Sequence, residues 1–558
     1  MKTRGVAIKY GDIAPEAKEN FVASTADKTD FVDLSFLQKY NLSFPNFANP
    51  CELYSVVLNG ESKIFPQTPE NENMGLWSEQ LSNLDGSFTD PIILKLTSNG
   101  QYSSQGLTFT FDTNNQIYPT HINVHWWRDT NESLVDLGAK DFYPDNALYF
   151  AQNKVENYNR VVITFTGLNM PHNRLKLRSI DYGYGTFFYG DELRNVKLIQ
   201  EIDPISSEIS INTADFMLNS KRNIEYLFQS KQPLNIYFNG ELKATTFVKN
   251  SKRKSKNLWQ VQSEDYIGFL DGVLYNGGMY SNAKAINVLT DIFNVAKVPF
   301  NIDNIFENIT ITGYIPYTTC RNALMQVAFA IQAVVDTSNS EFVKVFALED
   351  DVKQTIPLNR IMQGQNFDDG ETVTGVEVTS HTYKQITDTL VAYDATASGT
   401  GQNIFVTFSE PLHSLSITNG SIVSSGTNFA VINASANCVL TGRKYEHTMS
   451  TKRLNNPMVL ASEIERIVSV ENATLVSPAN LDNVLEKCYN WITRVNQTNL
   501  KIVEGRHNVG DDVISDKVVN VGDIITTQTE YLGEITGRII KQTFNLNGGI
   551  IIKEAIVK

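Results

Sequence analysis

The stretch HINVHWWRD, residues 121–129, decides how the first part of the chain folds. Wound as a helix, it sets His121 and His125 one turn apart, near enough to share a metal ion. Its paired tryptophans suit a sugar platform, and its alternation suits a strand. The preceding TFTFDTNNQIYPT carries Pro119 and a polar turn, which argues against a helix. Within the nine residues, Ile122, Val124 and Trp126 share one face, and His121, Asn123, His125 and Trp127 share the other. In a strand, residues four apart are separated by about 13 Å, at roughly 3.3 Å per residue. Imidazoles that far apart cannot both ligate one ion at about 2 Å. The stretch is therefore expected to be a strand with Trp126 in a core and a more open, aromatic second face. No metal site is expected there.

The same period of two runs through most of the chain. Short runs of Val, Ile, Thr, Phe and Tyr recur between turns such as Asn59-Gly60, Asp85-Gly86, Asn239-Gly240 and Asn419-Gly420. NIYFNGELKATTFV (235–248) reads as a hairpin about Asn-Gly. Three segments carry helical spacing instead. AKAINVLTDIFNVAKV (283–298) places Ile286, Leu289, Ile292, Phe293 and Ala296 on one face before Pro299. TTCRNALMQVAFAIQAVVD (318–336) begins at a threonine cap and lines up Cys320, Leu324, Val327, Ala328 and Ile331. SPANLDNVLEKCYNWITRVN (477–496) has Ser477 as N-cap, Pro478 in the first turn, and a stripe from Leu481 through Cys488 to Val495, so a helix over 478–495 is expected. At 558 residues the chain exceeds what one core supports. The expected fold class is thus mainly β with a few helices, in several domains.

Composition limits the chemistry. Lys+Arg 47 against Asp+Glu 61 gives a net charge of −14, a poor basis for wrapping nucleic acid. The four cysteines (Cys51, Cys320, Cys438, Cys488) are far apart, which argues against a disulfide framework or a structural zinc. Cys320 and Cys488 fall on apolar helix faces and read as small buried hydrophobes. The N-terminus lacks the apolar core of a signal peptide, and no apolar run of about 18 residues suggests a membrane anchor. No GxSxG, HExxH or GxxxxGKS motif occurs, and His172, His381, His413, His447 and His507 do not neighbour a nucleophile motif. The carboxylate pairs Asp350/Asp351, Asp368/Asp369 and Asp511/Asp512 are adjacent, hence on opposite faces of an extended chain, and read as solvated turns. The basic run KNSKRKSKN (249–257) reads as a solvated hairpin loop, with contact to an anionic partner such as passing DNA as the alternative. No catalytic residue, cofactor or metal is expected, so the chain reads as a structural or binding protein rather than an enzyme.

The order of motifs in the middle of the chain carries a resemblance. EIDPISSEISINTADFMLNS (201–220) has Asp203, Pro204, Ser206, Glu208, Asn212 and Phe216 in a D-P-x-S-x-E-x-x-x-N-x-x-x-F pattern. Glu264-Asp265-Tyr266-Ile267-Gly268-Phe269-Leu270 follows, then the helix entry with Tyr314, Ile315, Pro316, Thr318 or Thr319, Arg321, Ala323 and Leu324. The closing stretch 521–549, VGDIITTQTEYLGEITGRIIKQTFNLNGG, completes the order. In this the chain resembles the hub proteins at the tip of bacteriophage and prophage-derived tails, across roughly 190–380 and 450–558. That resemblance implies a hub-type β-barrel domain and α+β domains. It also implies a homotrimer that adapts a sixfold tail tube to a threefold tip and lines or closes the exit channel. The implied partners are a distal tail protein ring, a tape-measure protein and tail fibre or spike proteins, with DNA in transient passage. The implied location is the virion, after assembly in the bacterial host cytoplasm.

A second resemblance covers the N-terminal block. In 155–183, Ile163, Thr164, Phe165, Asn169, Pro171, Arg174, Lys176, Leu177, Arg178, Ile180 and Gly183 match the pattern of a discoidin-like β-sandwich. It implies that HINVHWWRD is a central strand. It also implies that any sugar would meet loops at one end, with Tyr102, Tyr143, His172, Asn173 and Arg174 as candidate contacts. The expected organisation is an arm (1–45), the β-sandwich (46–190), a hub β-barrel (191–280), an α+β hub domain (281–386), a small β-rich insertion (387–450) and a C-terminal hub domain (451–558). Two alternatives stay open: a host-surface glycan-binding adhesin acting through the sandwich, and a tail-associated cell-wall hydrolase.

Overall fold

In a computed structural model, the structure describes residues 5–13, 15–29, 32–38, 46–48, 51–53, 62–64, 75–130, 133–220, 228, 231–358, 361 and 366–369. It further describes 372–394, 403–457, 459, 464–493, 498–504, 519–529, 533–547 and 550–557. Asp511/Asp512 and His507 lie outside them. The protein is mainly β with a few helices. It divides into two compact units: Lys9–Phe187 with Asn223–Phe228, and Met1–Ile8 with Phe188–Arg222 and Gln229–Lys558.

In the first unit, four long strands form one antiparallel sheet: β1 (Ser87–Thr110), β2 (Pro119–Thr130), β3 (Ser133–Phe142) and β4 (Leu148–Leu168). The spatial order is β1-β4-β2-β3, with the short strands Val22–Ser24 and Ser179–Asp181 added to β1. Repeated register shifts along β1 and β4 bend these long strands, as bulges do. At one of them Gly106 has φ +151°, and a Cβ there would lie 2.2 Å from the Ala151 carbonyl oxygen, so the position needs glycine.

The alternation of HINVHWWRD is realised within β2. Ile122, Val124 and Trp126 are fully buried, and Trp126 pairs in register with Val161 and meets Phe142 edge-on at 6.4 Å. Around them lie Phe109, Phe111, Ile163 and Phe165. Ala17, Phe21 and Leu37, from the segment read as an arm, belong to the same core, with Phe21 stacked on Tyr182 at 4.4 Å. An apolar residue every few positions was enough to draw that segment inward.

In the second unit, β5 (Leu193–Glu201), β6 (Thr213–Asn219), β7 (Pro233–Phe238), β8 (Glu241–Ser255) and β9 (Leu258–Glu264) run antiparallel in the order β7-β8-β9-β6-β5. The β7–β8 turn is Asn239-Gly240, with φ of 54° and 84° at its two central residues, as a tight hairpin requires. The basic run is mostly strand rather than loop: residues 249–255 extend β8, with Lys249 paired to Glu264 at 2.7 Å and Arg253 over the Trp259 ring. Three helices follow: α1 (Tyr266–Asp271), α2 (Ala285–Ala296) and α3 (Cys320–Ile331). Helix α2 stops at left-handed Lys297, before Pro299 acts. Helix α3 stops at left-handed Gln332, whose cap lets Val334–Asp336 become a strand instead of the last helical turn. The β-branched Val334-Val335 pair favours that outcome.

Beyond lie three strands that share a small core of Val406, Ala430, Ile432, Ala434, Cys438 and Leu440. They are β11 (Asn403–Thr407), β12 (Leu412–Ser425) and β13 (Phe429–Asn455), and β13 also pairs with the long β10 (Gly375–Asp394). Helix α4 (Leu481–Ile492) begins three residues later than expected from 478. Ser477, Pro478 and Ala479 precede it in a turn where Asn480 Oδ1 accepts from the Ser477 backbone N–H at 2.7 Å. The last strands, β14 (Thr498–Glu504), β15 (Ile524–Thr529), β16 (Gly533–Asn545) and β17 (Ile550–Val557), return to the sheet. Strand β5 thus lies between β6 and β16, with Leu198 in register with both Ala214 and Phe544.

Truncation of Trp126 to alanine should cost about 3–5 kcal/mol, seen as a lower thermal midpoint by near-ultraviolet circular dichroism. Trp127→Ala, on the open face of the same strand, should cost less than about 1 kcal/mol.

Candidate functional site

Four of the five residues expected to meet a sugar divide in two. Tyr143 follows β3 with a ring that is 69% exposed, packed on His121 at 5.2 Å between centroids. His172, Asn173 and Arg174 follow β4 and turn toward the segment 78–82. His172 has a positive φ of 48°; its N–H donates to the Ser82 carbonyl at 3.1 Å, and its carbonyl accepts from Leu53. Asn173 is fully buried, its side-chain amide donating to the Pro171 carbonyl at 2.8 Å while its carbonyl oxygen has no partner among the described residues. The Arg174 guanidinium donates to the backbone carbonyls of Ser78 and Glu79 and faces Glu52 at 3.7 Å. Tyr102, the fifth residue named, accepts from the Asn20 amide and packs on Phe21.

Arg174 belongs to an alternating set. Extended chain puts Arg174, Lys176 and Arg178 on one side, where Lys176 meets Glu52 and Arg178 meets Asp112 at 3.3 Å. Lys176 also sits over the Trp77 ring at 4.7 Å. Burial pushes the Arg178 guanidinium down to about 10, against the pull of Asp112. The R-L-K-L-R alternation was the available signal that these cations point inward together.

The open face of β2 and β3 carries a second, unexpected arrangement. His121 Nε2 meets Asp141 Oδ1 at 2.9 Å, and Asn123 donates to the same oxygen at 2.8 Å. Four residues on, His125 Nε2 meets Asp136 Oδ1 at 2.7 Å, and the Gly138 N–H donates to that oxygen too. The Trp127 ring lies against His125 at 4.1 Å. The aspartates come from β3, so the sequence spacing of the histidines alone could not disclose them.

In the second unit the conspicuous polar group is Asp265. It is wholly buried, and its Oδ1 caps α1 by accepting from the Ile267 and Gly268 N–H groups. Its Oδ2 accepts from the Thr337 hydroxyl at 2.5 Å and from the Asn212 N–H at 3.1 Å. Asn212 closes the set, donating to Thr337 Oγ1 and accepting from the Glu201 N–H. Nearby, Asp203 accepts from Ser207 and Glu208, Ser206 donates to the Ala333 carbonyl, and Arg321 donates to the Ile209 carbonyl at 2.6 Å through Nη2. Desolvation pushes the Asp265 carboxyl up to about 7 although every hydrogen bond it accepts opposes this. Asp350, read as a solvated turn residue, is exposed but pairs with Arg538 at 2.6 Å.

Sequence reading also missed a histidine pair. His381 Nε2 is 2.9 Å from the Glu471 carbonyl and must donate to it, so Nδ1 accepts from His447 Nε2 at 2.9 Å. Tyr383 stacks flat on His447. The register of β10 with β13 brings the two together from 66 residues apart. Among the described residues, no group of three or more His, Cys, Asp or Glu could hold a metal ion, and no helix is long and apolar enough to cross a membrane.

No family model and no curated protein matches the sequence. Among solved structures, the chain is similar to a tail protein from Neisseria meningitidis MC58, at 11% identity and a TM-score of 0.42, over 67% of this chain and 94% of that one. It is similar to the 43 kDa tail protein of prophage MuSo2 from Shewanella oneidensis, at 8% identity and a TM-score of 0.41, over 66% and 95%. A prophage tail protein from Listeria monocytogenes EGD-e shares 10% identity at a TM-score of 0.38, over 67% and 91%.

The state of Asp265 has a measurable consequence. Its carboxyl is raised on folding, so the folded protein holds a proton that the unfolded chain releases near its ordinary value of 3.8. Its contribution to stability is fully present below that value and declines as pH rises to about 7. Asp265→Asn should flatten the stability–pH curve between those limits by up to about 1.4 kcal/mol per pH unit. Denaturant titrations of both proteins at several pH values measure the difference.

Proposed function

We propose that this protein is a structural component of a bacteriophage or prophage-derived tail, and that it serves as the hub of the tail tip or baseplate. The observation that carries the reading is where the resemblance residues fall. Asp203, Ser206, Asn212, Asp265 and Arg321 belong to the hub-like order in the sequence; Ser206, Asn212, Asp265 and Arg321 each join distant segments of the second unit, and Asp203 holds the turn between them. A chance match of degenerate patterns has no reason to select polar groups, three of them buried, that tie distant segments of this unit to one another.

In this reading three copies close a ring that matches a sixfold tube to a threefold tip. Large self-complementary surfaces hold such a ring, with no catalytic step. The ring receives the distal tail protein, the tape-measure protein and the fibres or spikes, and the protein resides in the virion. A net charge of −14 suits a channel that DNA must traverse without sticking. The first unit, with its resemblance to a discoidin-like sandwich, is then a module attached to the hub.

Sedimentation or light scattering of the purified full chain should give three times the chain mass. Tail particles imaged by electron microscopy should show the protein at the threefold tip. A stable monomer that never joins a tail tip overturns the proposal.

A further inference from the structure

We infer that the open face of β2 and β3 is a binding site for uncharged oligosaccharides, with Trp127 and Tyr143 as ring platforms and Asp136 and Asp141 as acceptors for sugar hydroxyls. The face is made of two like units. In one, the Tyr143 ring flanks His121, which meets Asp141; in the other, the Trp127 ring flanks His125, which meets Asp136. His121 and His125 are four residues apart on one strand, hence about 13 Å. That spacing fits a short oligomer better than a single sugar.

Each unit offers what a sugar presents. A pyranose has a C–H face that lies on a flat ring and an edge of hydroxyls that both donate and accept. The aspartates use Oδ1 for the protein's own donors, and among the described residues nothing occupies either Oδ2. Both carboxylates remain more than half exposed. The Trp127 indole N–H and the Tyr143 hydroxyl supply donors. The imidazole contacts hold the carboxylates and rings in place before any ligand arrives, so little side-chain freedom is lost on binding.

The same features select among occupants. Hydrogen bonds from Asn123 and His121 hold the Asp141 carboxyl below its usual range, and one from His125 does the same for Asp136. Two ionised carboxylates beside the platforms repel an anionic glycan. A protein hot spot would need a continuous apolar patch, whereas here two separate rings stand among polar groups. The site differs from the loop set around Arg174, whose guanidinium is engaged with Ser78, Glu79 and Glu52.

Calorimetric titration of the full-length protein with uncharged hexose tri- to hexasaccharides of several linkages tests the site, with matched uronic-acid oligosaccharides alongside. At least one uncharged oligosaccharide should bind. Trp127→Ala and Tyr143→Ala should each weaken it by roughly tenfold, while Ile93→Ala, elsewhere on the exposed sheet face, should bind as the unaltered protein does. Circular dichroism confirms that each variant is folded. Binding of no uncharged oligosaccharide, binding of uronates alone, or undiminished binding by the Trp127/Tyr143 double variant overturns the inference. The outcome is separate from the tail proposal: a monomer that binds sugar overturns the hub alone, and a trimer that binds none overturns this site alone.

Discussion

A buried carboxyl organises the second unit. Asp265 ends β9, caps α1 and receives Asn212 and Thr337, which come from opposite sides of it in the sequence. Among the described residues no cation is within its hydrogen-bonding set; four donors serve its two oxygens, three of them backbone N–H groups. Each oxygen accepts from two of these donors, and losing one leaves it a single partner in a dry interior, where a missing hydrogen bond is costly. The strands β5 and β6, the helix α1 and the segment after α3 are therefore tied together at one point.

The first unit rests on a different constraint, the strict alternation of an extended chain. It sends Trp126 into the core and leaves Trp127 outside, one residue away. It also gathers Arg174, Lys176 and Arg178 on one buried side, where Glu52 and Asp112 compensate them. A buried cation is tolerable only with such partners. The geometry that neutralises these cations engages Arg174 with Ser78, Glu79 and Glu52.

Local signals translated faithfully where the deciding interactions were local. The Asn239-Gly240 hairpin, the stripe on α2 and the burial of Cys320 and Cys488 follow from period and turn chemistry within a few residues. Helix ends were less legible. Gln332 takes a left-handed cap that no residue preference announces, and Val334 and Val335 then join Val343–Phe346. At α4 the side-chain oxygen of Asn480 accepts from the Ser477 N–H, closing a turn just before the helix. At α3 a contact beyond the helix outweighed its intrinsic propensity.

The sequence by itself determined the β class, the inward and outward faces of the strand at 121–129, and the absence of recognisable catalytic motifs, because period, turn residues and motif spacing are properties of neighbours along the chain. Tertiary structure alone decided the pairings: His121 and His125 with aspartates of another strand, His381 with His447, and Asp265 with Asn212 and Thr337. These depend on strand register, and register is set by which long-range arrangement buries the apolar faces and satisfies the backbone together.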